Sequence, residues 1–176
     1  MLQVNSIDAF DEYSNLFSGL GVLTTGFEYK VPIDTDVVPK NIPTRRLPPA
    51  LMESVRNEPE RMIENQVIRP ITEPTKWCSP MLVTRKKSGD IRLVVDFREL
   101  NKAVQRRTYP IPRLDDMLPL LKNAKFFSSL DGVSGYFQIP IHPESQQLLT
   151  FSTSLGRYCF QRLHSAYAQL LNCIKC

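Results

Sequence analysis

Apolar and polar positions alternate clearly in only parts of this chain. From Ala50 to Gln66 the apolar residues Leu51, Val55, Met62 and Ile63 fall roughly on one helical face, which predicts a helix, and Pro59 is expected to kink it. Two apolar-rich runs follow, Met81 to Arg85 and Ile91 to Phe97. They flank Lys87-Ser88-Gly89-Asp90, a turn-forming tetrapeptide, so a β-hairpin is predicted. Glu99 to Lys102 begins a polar connection, and Tyr109-Pro110-Ile111-Pro112 is extended. Leu114 to Leu121 has the pattern of a short helix, with Pro119 awkwardly placed. Strands are predicted at Phe126–Asp131 and Phe137–Ile141. A second hairpin pairs Leu149–Thr153 with Arg157–Leu163 across Ser154-Leu155-Gly156.

The ends differ from this middle. Residues 1–49 carry prolines at 32, 39, 43, 48 and 49, and the restriction on residues preceding proline makes this an extended arm. After Leu163 the pattern changes again. The tail, residues 164–176, has the spacing of a short amphipathic helix but no evident role. The chain shows no internal repeat.

Composition narrows the picture modestly. With 176 residues, 42% of them hydrophobic, the chain suits one domain, or one domain plus an arm. The net charge of +4 is unevenly spread. Between Arg85 and Arg107 eight bases outnumber three acids, so this window is +5 and the rest of the chain −1. Such a patch suits a phosphate-bearing partner, and a solvated hairpin face explains it equally well. The four cysteines lack a framework spacing, and the Cys173–Cys176 pair has no second pair to complete a zinc site. Acids near the start and no apolar segment of signal or membrane length lead to the expectation of a cytoplasmic or nuclear protein.

Three places could carry chemistry. Asp131 closes a predicted strand amid Phe126, Phe127, Leu130 and Val133, and Gly132, Ser134 and Gly135 let backbone approach closely. A carboxylate there is costly unless compensated, so it is either a metal ligand or a cap on the turn. Tyr136 is either core or a flat wall beside a sugar or base. Lys86, Lys87 and Arg92 stand where a hairpin could clamp a polyphosphate, although charge protection of a sheet edge accounts for them as well. Asp96 and Arg98 suit a structural ion pair. His142 and His164 have no convincing nucleophile nearby, and both are expected at the surface.

Four stretches, SPMLVTRKKSGDIRLVVDFRELNKAV, RRTYPIPRLDDML, AKFFSSLDGVSGYFQIPI and LLTFSTSLGRYCFQRL, occur in the order and spacing of reverse transcriptases. Upstream, FDEYSNLFSGLGVL and the segment from PTRRLPPALMESV to PTKWCSPM fit too, so the resemblance covers roughly residues 8–163 and is closest to Ty3/gypsy-type LTR retroelements. It implies an α+β fold, the fingers and partial palm of a right-hand polymerase: an antiparallel sheet packed with helices over residues 50–163, preceded by the arm. It implies that Lys86 and Arg92 grip the incoming triphosphate and that backbone N–H groups near Gly135 touch it. Asp131 would be the first of three catalytic aspartates that hold two Mg²⁺ or Mn²⁺ ions. Tyr136 would be the gate that excludes a ribose 2′-hydroxyl, and Arg85 and Lys87 would bind nucleic acid. The implied partners are an RNA or DNA template–primer and a dNTP.

The sequence also departs from that pattern. His164 stands where the family continues with a Pro-Phe-Gly-like motif, and the last acid of the chain is Glu144. The expectation is therefore a truncated fragment without the second and third aspartates, inactive alone, with a tail of out-of-frame or mis-spliced origin. A fragment of this kind could still bind nucleic acid non-specifically, be completed by another chain in trans, or self-associate through an exposed sheet edge.

Overall fold

A computed structural model describes residues 14, 18–23, 26–44, 46–85, 91–105, 113–127, 132 and 134–165. The elements, in chain order, are α1 (Pro49–Glu64), β1 (Ile68–Pro70), β2 (Ser79–Arg85), β3 (Ile91–Val95), α2 (Arg98–Ala103), α3 (Leu114–Met117), α4 (Pro143–Gln146), β4 (Thr150–Thr153) and β5 (Gly156–Phe160). Short 3₁₀ turns occupy Leu118–Leu121, Gly135–Gln138 and Gln147–Leu149. The fold is α+β, as expected, and the five strands form one sheet in the order β1-β5-β4-β2-β3.

The two hairpins are the local units of that sheet. Met81 pairs with Val95 and Arg85 with Ile91 in one, Thr150 with Cys159 and Thr153 with Gly156 in the other. They join through a parallel contact, Ser79 to Phe151 and Pro80 to Ser152, so the sheet is mixed rather than purely antiparallel. One face buries Met81, Val95, Phe151 and Phe160 against Val55 of α1 and Leu100 of α2. Phe160 is the hub, with ring centroids 5.0 Å from Phe151 and 6.0 Å from Phe97.

The described part of the arm is extended and tied down along its length. Tyr29 N–H donates to Pro140 and His142 N–H donates back to Tyr29. Asp34 N–H donates to Ala103, and Ile42 N–H to Cys78. Val31, buried at 4% exposure, donates its N–H to Ser145 Oγ. Backbone that would be an unsatisfied edge is thereby paired.

Several elements depart from their sequence pattern. The helix runs Pro49–Glu64 rather than Ala50–Gln66 and continues through Pro59. Gln66 is left with φ +54°, which ends it. Glu99–Lys102 is part of helix α2, not a connection, because Leu100 and Ala103 turn inward. The predicted strand Phe137–Ile141 is a 3₁₀ turn followed by isolated bridges: Ser134 takes φ +48°, and its carbonyl accepts from Phe137 N–H. Phe126 and Phe127 are not in a strand and are 93% and 71% exposed. The rest of that run, 128–131, falls outside the described residues. Pro119 is accommodated because the helix changes from α to 3₁₀ there, putting proline in a first turn where no N–H is needed.

Candidate functional site

The β2–β3 hairpin and the turn that opens at Ser134 frame the site. In the hairpin register Thr84 faces Arg92 and Arg85 faces Ile91, so the two arginines stand at neighbouring levels of the strand ends. Lys86, Lys87 and Asp131 fall outside the described residues, as do the side chains of Arg85 and Arg92.

Gly135 and Tyr136 begin the 3₁₀ turn, and both are half-buried. A Cβ on Gly135 would meet nothing within 4 Å. Any need for glycine there therefore comes from a bound group or the backbone path, not from protein packing. Tyr136 and Phe137 line a cleft of about 450 Å³ with Leu93 of β3, Glu58 and Arg61 of α1, and His164. The fold thus brings Tyr136 to the strand that carries Arg92, although the two are far apart in sequence. A second groove, about 240 Å³, adjoins it through Arg61, Met62, Ser134 and Phe137 and reaches Gly19 and Leu20 of the arm.

Several charged side chains among the described residues are paired. Arg61 meets Glu58 at 2.6 Å on the cleft wall. Asp96 and Arg98 form the ion pair expected of them, with Nη2 to Oδ2 at 2.6 Å and Nε to Oδ1 at 2.8 Å. That contact raises the Arg98 pKa, hydrogen bonding first and charge second. Glu99 accepts from Lys102 and Lys40, each at 2.6 Å, and these hydrogen bonds pull its pKa down to about 2. Arg162 is buried, its Nε donating to Gln66 O at 3.3 Å. Its Nη1 has no partner among the described residues, and burial lowers its pKa.

The two histidines divide. His142 caps α4, its Nδ1 accepting from Glu144 N–H. His164 is not a surface residue: it is 8% exposed, and its ring centroid lies 4.9 Å from Phe160, 5.9 Å from Phe137 and 6.1 Å from Phe97. Arg61 was also missed; only the three-dimensional cleft marks it.

Metal donors are sparse in the described region. Among the described residues no group of three or more His, Cys, Asp or Glu side chains could hold an ion. Asp115 and Asp116 are exposed on α3, and Asp116 instead accepts from the Arg113 N–H. The described residues therefore do not supply a donor set for two divalent ions. No described helix is long and apolar enough to cross a membrane.

A family model described as Reverse transcriptase (RNA-dependent DNA polymerase) matches residues 84–172. The match covers both the β3 strand and the Ser134 turn, and it runs into the tail. The Pol polyprotein from transposon 412 of Drosophila melanogaster is 36% identical over 136 residues, 74% of this chain and 11% of that protein. The Pol polyprotein from transposon gypsy of the same organism is 38% identical over 124 residues, 65% of this chain and 12% of that one. The chain thus spans only about a tenth of the length of these relatives. Among solved structures, the native prototype foamy virus protease–reverse transcriptase superposes with a TM-score of 0.73 at 23% identity, over 92% of this chain and 22% of that one. A foamy viral protease–reverse transcriptase in complex with an RNA/DNA hybrid gives 0.70 at 18% identity, over the same shares of the two chains.

Proposed function

The chain belongs to the reverse transcriptase family, and from that premise we propose that it is the fingers and partial palm of a retroelement polymerase that holds nucleic acid but does not itself extend a primer. The observation that carries this reading is the family match over residues 84–172, which takes in β3 and the Tyr136 turn together. Residues 50–163 are the hand portion, residues 1–49 the arm, whose described part lies along it, and residues 164–176 a tail whose first nine residues the family model still covers.

In this reading Arg85 and Lys87 meet backbone phosphates of an RNA/DNA template–primer, where charge gives affinity without sequence preference. A related enzyme bound to an RNA/DNA hybrid supports that class of partner. Lys86 and Arg92 hold a dNTP triphosphate, one as a point charge and one as a planar fork. The Gly135 N–H touches the same group, and Tyr136 stands against the sugar. Asp131 is the proposed contact for Mg²⁺ or Mn²⁺. No carboxylate follows Glu144 in these 176 residues, so the charge neutralisation that polymerisation requires is not assigned to them.

Fluorescence anisotropy with a labelled RNA/DNA hybrid, titrated at rising salt, tests the binding half. Affinity should fall steeply with salt, and Arg85→Ala/Lys87→Ala should weaken it and flatten the slope. Absent or salt-independent binding would overturn the reading. Primer extension with dNTPs and Mg²⁺ or Mn²⁺ tests the other half. Neither the chain nor Asp131→Asn should extend, and extension lost only in Asp131→Asn would show a complete site.

A further inference from the structure

The turn that carries Tyr136 has little support of its own. Ser134 opens it at φ +48°, a conformation that a residue other than glycine keeps only when its surroundings impose it. None of the turn residues Gly135–Gln138 is buried. Two backbone bonds lie within it, Phe137 N–H to Ser134 O at 2.8 Å and Ile139 N–H to Tyr136 O at 3.1 Å. A turn with so few contacts of its own takes its position from what packs against it.

The arm supplies that support. Leu23 N–H donates to Gln138 O at 2.8 Å, and Tyr29 N–H donates to Pro140 O at the same distance. Gly21 lies against the Gln138 side chain. A Cβ on Gly21 would stand 3.5 Å from its Cδ, 3.6 Å from its Oε1 and 3.7 Å from its Nε2. That is contact distance already, so the γ carbons of a larger residue would meet the amide. Backbone strain is not the issue, since Gly21 lacks the positive φ of Gly19 and Gly26. Gly19 and Leu20 share a groove with Ser134 and Phe137, and Leu20 also packs against the core. One arm segment thus spans the turn from its opening residue to its last, and is itself anchored.

We propose that Gly19–Leu23 is a positioning element for Tyr136, with Gly21 at the contact, and that through the turn it tunes the choice between a 2′-deoxyribose and a ribose. The second half rests on the reading of Tyr136 as the residue against the sugar. Discrimination there depends on one hydroxyl, so a small shift of the turn changes how closely the ring meets it. A segment far earlier in the chain, which touches no nucleotide, is thereby part of the selectivity.

Amide hydrogen exchange and nucleotide titration, both read by NMR on the full chain, test the two halves separately. Gly21→Val crowds Gln138, and Gln138→Ala empties the same contact. Each should speed exchange of the Leu23, Phe137 and Ile139 amides about tenfold or more, with the β4–β5 amides unchanged. The double variant restores the volume and should recover slow exchange, a coupling that two independent lesions would not show. With Mg²⁺ present, each single variant should narrow the preference for dATP over ATP about fivefold. Binding of inorganic triphosphate should not change, and the double variant should regain the preference. Unchanged exchange in both single variants overturns the brace. Faster exchange with an intact preference, where Tyr136→Ala abolishes that preference, overturns the tuning. A preference that survives Tyr136→Ala, or no nucleotide binding at all, overturns the assignment of Tyr136 to the sugar and the tuning with it, and the exchange rates then decide the brace.

Discussion

The imidazole of His164 packs 4.9 Å from the ring of Phe160, the residue on which both sheet and helices converge. Phe97 and Phe137 complete the surround, and His164 also walls the cleft that holds Tyr136. The residue therefore joins the core to the candidate site. His164→Ala should lower the unfolding free energy by about 2–3 kcal/mol, the scale for truncating a buried side chain that its neighbours cannot fully replace. His164→Phe should cost less. Urea denaturation of the three proteins checks both, and equal stability of wild type and His164→Ala would mean that the aromatic contact is incidental.

Glu99 ties the arm to α2, because its carboxylate accepts from Lys40 of the arm and Lys102 of the helix. Those bonds hold its pKa at about 2 against an ordinary 4.5. A carboxyl depressed on folding contributes stability above its unfolded pKa and loses that contribution as pH falls through the folded one. The loss is therefore expected between pH 4.5 and about 2. NMR titration of the Glu99 carboxyl should show the low value, and Lys40→Met or high salt should raise it. Glu99→Gln should remove its share of the acid sensitivity. A Glu99 that titrates near 4.5 would mean that these two lysine contacts do not hold the arm to α2.

Pro59 sits inside α1 and is buried, and the helix continues across it. Proline cannot donate to the carbonyl four residues earlier, here Val55, and an interior proline costs about 3 kcal/mol. Pro59→Ala returns that bond and gives up some ring burial, about 1 kcal/mol. The net should be a stabilisation of about 1–2 kcal/mol, read as a higher urea midpoint at unchanged slope. A loss of stability would show that packing of the ring outweighs the helix bond.

The β2–β3 hairpin was legible because its apolar runs flank a turn-forming tetrapeptide, both local features. The Asp96–Arg98 pair was legible for the same reason, being two residues apart. The run from Phe137 to Ile141 misled because a dense apolar stretch fits a strand as well as a 3₁₀ turn, and the positive φ of Ser134 leaves no mark in composition. Helix α2 was hidden by charge, with only Leu100 and Ala103 turned inward. What joins distant segments was not legible at all: the bridge of Tyr29 to Ile141, the parallel pairing of Ser79 with Phe151, and the cleft shared by Tyr136 and Leu93. Those contacts depend on how elements stack, and a single sequence does not state it.

The second hairpin turns on two residues, Ser154 and Leu155, between Thr153 and Gly156. Thr153 Oγ1 accepts from Leu155 N–H and donates to Gly156 O, both at 3.0 Å, so one hydroxyl braces the turn. Gly156 has φ +148°, a conformation nearly closed to other residues. A Cβ added there would have its nearest heavy atom, Tyr158 Oη, at 4.0 Å, so space is not the obstacle. Gly156→Ala should therefore cost about 1–3 kcal/mol through the backbone alone, and Gly156→Ser should cost about the same. Thr153→Val should cost about 1 kcal/mol through the two lost bonds. Urea midpoints of the three variants separate the causes. A penalty that grows from Ala to Ser would point to crowding rather than backbone strain, and a neutral Gly156→Ala would mean that the turn relaxes to an ordinary φ.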